Sequence, residues 1–184
     1  LPMMFQFPRI WCVLLAATLI GGCTSTTKPM EPEVFATFEQ RYGDPFFAKD
    51  GRMFMTMSPL GSSATKVYEV KPGGVMTPYP SAAVNADLKA VIAMRVSDEG
   101  VAWILDLGAR KFLGWDIQAE RLVREIQIPE SVLVEQSFLQ DYALDQQRNR
   151  AIIADMSQAD LESAPDPAFI VVDQESGDCR RVAP

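Results

Sequence analysis

Ala102-Trp103-Ile104-Leu105-Asp106 returns 49 residues later as Ala151-Ile152-Ile153-Ala154-Asp155, and Met53-Phe54-Met55-Thr56-Met57 holds the same place one period earlier. Each run is apolar at nearly every position. An amphipathic strand alternates, whereas continuous apolarity over a short run fits a strand covered on both faces. Turn residues precede each run: Lys49-Asp50-Gly51, then Ser97-Asp98-Glu99-Gly100, then the stretch 145–149. Asp50, Asp98 and Asp145 are 48 and 47 residues apart.

A second hairpin follows each turn. Residues 66–70 turn through Lys71-Pro72-Gly73-Gly74; residues 112–116 lead into 122–128; residues 168–173 turn through Gln174-Glu175-Ser176-Gly177 into 179–182. Each period thus holds about four strands. A period of 40–50 residues with four strands is the signature of a propeller blade. The chain is predicted to be all-β, with about three four-stranded blades of a β-propeller. A β-sandwich shares the strand spacing, but the repeat favours the propeller. Closed propellers have four to eight blades, so residues 34–184 are expected to form a partial propeller, the N-terminal half of a longer one. A truncated gene or blades from a partner are the alternatives.

The start of the chain reads differently. Arg9 precedes an apolar run over residues 10–20, and Gly21 and Gly22 stand directly before Cys23. The run is short for a bilayer span, which needs about 20 apolar residues, and fits a secretory signal. Ile20-Gly21-Gly22-Cys23 resembles the lipobox of bacterial lipoproteins, which implies a signal peptide over 1–22 and a lipid on Cys23. Residues 23–33, polar and punctuated by Pro29 and Pro32, read as a tether. The expected place is outside the cytoplasm: in the cell envelope, lipid-anchored to a membrane through Cys23, or secreted.

Composition excludes several functions. Without residues 1–22 there are 16 basic against 24 acidic residues, which argues against a nucleic-acid partner. Cys12 leaves with the signal and Cys23 takes the lipid, so Cys179 has no disulfide partner. The chain has no His, so a Ser-His-Asp triad, a Cys-His pair and a His-liganded zinc are excluded within it.

Ser137-Phe138-Leu139-Gln140-Asp141-Tyr142-Ala143-Leu144-Asp145, then the run 151–155, then Ala168-Phe169-Ile170-Val171-Val172-Asp173 and Gly177-Asp178-Cys179-Arg180-Arg181-Val182 form an ordered series. Upstream, Gly100-Val101-Ala102-Trp103-Ile104-Leu105-Asp106 and Leu113-Gly114-Trp115-Asp116 extend it. The series resembles the bacterial branch of the Yellow/major royal jelly protein family, over the N-terminal half of a member. That resemblance implies a six-bladed propeller, usually secreted. Its members include pigment-pathway proteins linked to dopachrome conversion, amine-binding salivary proteins and nutritive proteins. The blades also look like those of gluconolactonase-type propellers, which hold a divalent metal through an Asn-Asp pair. Here the pair is Gln140-Asp141, and the longer Gln stem places its oxygen differently.

Gln140 and Asp141 stand where a strand begins near the propeller axis, as candidates for binding a ligand or a cation such as calcium; the plainer reading is that Asp141 caps a turn through backbone N–H groups. Asp106 and Asp155 hold equivalent positions. They read either as a carboxylate cluster at the channel mouth or as a repeated structural turn, which repetition favours. Residues 155–167, with Asp155, Asp160, Glu162 and Asp166, lack the spacing of a calcium loop and read as a solvated acidic loop. Trp103 and Trp115 read as packing residues. No catalytic residue and no committed metal ligand emerges. The expected function is binding of a small molecule in the central channel, aromatic or amine-bearing by the family resemblance. The alternatives are an enzyme, either dopachrome tautomerase-like or a metal-dependent lactonase, and a fragment without function of its own.

Overall fold

The computed structural model describes residue 31 and residues 33–61 and 63–183. The signal segment 1–22, Cys23 and most of the tether lie outside the described residues. Val34–Pro184 forms one compact unit.

Among the described residues, twelve strands make three separate four-stranded antiparallel sheets. Blade 1 is β1 (Tyr42–Phe47), β2 (Met53–Met57), β3 (Val67–Lys71) and β4 (Val75–Pro78). Blade 2 is β5 (Val91–Val96), β6 (Val101–Asp106), β7 (Lys111–Asp116) and β8 (Arg121–Gln127). Blade 3 is β9 (Leu139–Asp145), β10 (Arg150–Asp155), β11 (Ala168–Asp173) and β12 (Cys179–Val182). Within each blade the strands pair in chain order as a meander. Strand β5 lies beside β1 and β2 on one side and β9 on the other, so the first strand of each blade is the innermost. These are consecutive propeller blades, as the repeat predicts.

The three apolar runs are the second strands, β2, β6 and β10. In β2 and β6 nearly every residue is buried, because each is covered on both faces. Phe54, Val67, Leu88, Met94 and Ile104 fill the space between blades 1 and 2. Trp103, Leu105, Phe112, Tyr142, Ile153 and Ile170 fill that between blades 2 and 3. Each such side chain contributes about 1.5–3 kcal/mol on burial. Trp103 stacks on Phe112 with centroids 4.8 Å apart and planes at 14°. Gly114 makes room for this, since a β-carbon there would lie 3.2 Å from the Trp103 ring. Phe112 meets Tyr142 edge-on at 5.0 Å. The far face of blade 1, with Met53, Met55 and Val70, is covered by Phe38 from the segment before β1.

Among the described residues three short helical elements interrupt the strands, two of them single 3-10 turns at Glu130–Val132 and Gln146–Arg148. The passage from blade 1 to blade 2 contains a short helix, α1 (Ala82–Asp87), capped by Ser81, whose hydroxyl accepts from Val84 N at 3.2 Å. Asn85 anchors it. Its Oδ1 accepts from Lys66 N (2.8 Å) and Val67 N (3.0 Å), and its Nδ2 donates to Tyr79 O (2.7 Å) and Ser81 O (3.1 Å).

Candidate functional site: the axial recess

Each innermost strand slips register near its start. The shift falls between Tyr42 and Pro45 in β1, between Val91 and Ala93 in β5, and at Gln140 in β9, where Leu139 pairs with Asp155 and Asp141 with Ala154. Such β-bulges re-aim side chains and are common beside functional sites. Here all three open onto one recess of about 360 Å³, lined by Gly43, Asp44, Ile92, Ala93, Gln140 and Asp141, with Ser58, Leu60 and Phe138 at its rim.

Thr56, fully buried, locks the first bulge to the second: its hydroxyl accepts from Asp44 N (2.9 Å) and donates to Ile92 O (3.0 Å). Residue 43 must then be glycine, because a β-carbon there would stand 2.7 Å from Thr56 Oγ1.

Arg95 of β5 bridges two of the residues that line the recess. It pairs with Asp44 of β1 and, through its second terminal nitrogen, with Asp141 of β9 at 3.1 and 3.3 Å. It also donates to Met94 O at 2.8 Å, and its guanidinium lies 5.6 Å from the Phe46 ring and 5.7 Å from the Tyr142 ring. Burial opposes the charge on Arg95, but the hydrogen bond and attraction of Asp44, helped by Asp141, outweigh it and raise its pKa. Tyr142 is enclosed, its hydroxyl donating to Trp103 O; burial pushes its pKa well above the usual phenol value. Two carboxylates face one guanidinium, so the cluster carries one net negative charge. Asp141 is the open member, with its side chain 51% exposed against 28% for Asp44 and 22% for Arg95.

Of the residues singled out from sequence, Gln140 and Asp141 line this recess. Asp106 and Asp155 do not join them. Asp106 is buried and accepts from Lys89 N, Ala90 N and Ala109 N at 2.9–3.1 Å. Asp155 is buried and takes the Ser137 hydroxyl, Phe138 N, Ser157 N and Arg181. Both brace the end of a second strand against the connection entering the same blade, so the repeated structural turn is the reading the geometry shows. Asp106 also borders a larger cleft of about 460 Å³ between α1 and strands β7 and β8, but its oxygens are turned to the backbone. Among the described residues no three His, Cys, Asp or Glu side chains gather as a metal would require.

Sequence reading missed Asp44 and Arg95. The pairings Asp141 with Ala154 and Ala93 with Leu105 place Asp141 and Ala93 at one blade position. Asp44, beside the same bulge in β1, is their counterpart in blade 1. The signal was therefore present as an Asp in two blades, hidden by the bulges.

No family model and no curated protein matches the chain. Solved structures do. A protein of unknown function from Bacteroides caccae superposes with a TM-score of 0.56 at 14% identity, over 78% of this chain and 50% of that one. The extracellular domain of a hybrid two-component system from B. thetaiotaomicron gives 0.53 at 9% identity, over 76% and 16%. A streptogramin B lyase gives 0.43 at 15% identity, over 77% and 51%. The chain spans about half or less of these structures. At such identities the first two show the fold alone.

Proposed function

We propose that this chain is an exported, lipid-anchored propeller module that binds a small cationic, amine-bearing molecule in the axial recess. The observation that carries the reading is the convergence of three bulges on one recess lined by Asp44 and Asp141, which share Arg95 and leave a net negative charge and one half-exposed carboxylate. A bound ammonium group adds to Asp141 without displacing Arg95, because a carboxylate has lone pairs for several donors. Gln140 offers a neutral amide beside it. The resemblance to the Yellow/royal jelly family supports an aromatic amine. The lipobox-like residues before Cys23 support the anchor and the envelope location.

The test uses tyramine as the probe. Binding to the folded state alone raises the melting temperature with ligand concentration. The expected result is a rise of several degrees at millimolar tyramine, no chemical turnover, and loss of the shift in Asp141→Asn. No shift, or the same shift in Asp141→Asn, sinks the reading; turnover of dopachrome moves it to the enzyme alternative.

A further inference from the structure

We infer that the cleft between blades 1 and 2 is a second small-molecule site, separate from the axial recess, and that it takes a neutral aromatic compound bearing an oxygen acceptor. The site uses none of the axial residues. It arises from a mismatch in strand length. The blade 2 face that carries Ile104, Leu113 and Trp115 packs toward blade 1. Strands β7 and β8 have six and seven residues, whereas β4, the outermost strand of blade 1, has four. After β4 the chain leaves the sheet and enters α1. The inner part of the blade 2 face is therefore covered by blade 1, and its outer part meets α1 across a gap of about 460 Å³. Pockets that hold small ligands measure roughly 300–1,000 Å³. The gap lies between two consecutive blades and is set by their own strands. Its wall is apolar: Val84 and Leu88 of α1, Leu113 and Trp115 of β7, and Leu122 of β8, which pairs with Trp115 and is 45% exposed.

Charge decides against an ion. At the rim Lys111 pairs with Glu125 at 2.5 Å, and Asp87 and Lys89 are opposite in sign. The remaining carboxylate, Asp106, is taken up by three backbone N–H groups. The axial recess, by contrast, keeps a net negative charge. Hydrogen bonding decides for an oxygen. Among the described residues the buried Trp115 Nε1 has no acceptor, and the buried Tyr79 hydroxyl, in the same side-chain cluster, has no partner. A buried donor left unpaired is costly. A carbonyl or hydroxyl oxygen on the occupant supplies the acceptor that Trp115 lacks, while a flat ring covers the apolar wall and lies against the indole.

The experiment titrates the full chain in detergent with coumarin, a neutral bicyclic carbonyl compound, and follows the indole N–H resonances by NMR. Saturable downfield movement of the Trp115 signal is expected, with a dissociation constant of roughly 0.1–1 mM for a ligand of that size. The Trp103 signal should stay in place, because that ring is stacked on Phe112 in the other seam. Leu122→Lys, at a half-exposed position, should weaken binding about tenfold by putting a charge in the apolar wall. Trp115→Phe keeps a ring and removes the donor; followed through the amide resonances of α1 and β8, it should weaken binding about fivefold. Native amide spectra confirm that both variants fold. Saturating tyramine should leave coumarin bound. The proposal is overturned if the Trp115 signal does not move, if both indoles move together, or if either variant binds as tightly as the parent. Displacement of coumarin by tyramine also overturns it, since that outcome puts coumarin in the axial recess.

Discussion

A buried carboxylate is stable only while hydrogen bonds and opposite charge outweigh its lost hydration. At Asp155 burial pushes the pKa up, but the Ser137 hydroxyl, Arg181 and the N–H groups of Ser157 and Phe138 pull harder, and the value is held below the usual carboxylate range. The folded-state pKa is therefore lower than the unfolded one, about 3.9. The stabilisation is present above about pH 4 and is lost as pH falls through the folded-state value. Replacing Asp155 with Asn leaves Arg181 only its longer pairing with the exposed Asp166 at 3.6 Å, and should lower stability at pH 7 by about 1–3 kcal/mol. The gap between the two proteins should narrow from pH 4 to pH 2. Urea denaturation across that range checks it; a gap independent of pH refutes the charge-based account.

Among elements, α1 is held by one side chain. Six residues are too few to form a stable helix in water by propensity alone. The four hydrogen bonds of Asn85 join it to the start of β3 and to the chain leaving β4. Asn85→Ala strands buried backbone groups at Lys66, Val67 and Tyr79, and each unsatisfied group costs about 1–3 kcal/mol. A net loss of about 3 kcal/mol is expected, with faster amide exchange at Lys66 and Val67. Exchange unchanged at those two amides would show that water replaces the side chain.

The twelve strands were largely legible, because turn residues and apolar runs repeat with a fixed period. Helix α1 was not: a segment of under two turns shows no 3.6-residue periodicity, and only Ser81 marks its start. Half of the site was legible. Gln140 and Asp141 lie at a strand start, where an axial role is expected from position. Asp44 was masked by its bulge, which breaks the even spacing. Arg95 acts across blades, and no local pattern reports a contact 46 or 51 residues away.

Across the whole molecule, blade 2 holds its neighbours at two levels along the inner strands. Within the strands Arg95 reaches Asp44 and Asp141. In the turn just after β5, Asp98 meets Lys49 of blade 1 at 2.5 Å, and its carboxylate accepts from Gln146 of blade 3 at 3.1 Å. The two levels differ in solvent access. The Lys49–Asp98 pair is exposed, so it is screened and contributes little. Arg95 is half-buried over two aromatic rings, where its attraction is stronger. Its planar fork directs separate nitrogens at two carboxylates on different strands, a reach that a compact ammonium does not reproduce. Arg95→Lys and Arg95→Met should therefore both destabilise, by about 1–3 kcal/mol after allowing for partial exposure. The loss should be spatially selective. Amide exchange should quicken at the starts of β1 and β9, which Arg95 joins, while the β6–β7 hairpin inside blade 2 keeps its protection. Asp98→Ala should leave stability nearly unchanged even though it also spans three blades. A double-mutant cycle between Arg95→Met and Asp141→Asn separates pairing from packing: about 1 kcal/mol of coupling is expected if the charges act together. Additive losses would mean that Arg95 supports the axis through Asp44 and the Phe46 and Tyr142 rings rather than through Asp141.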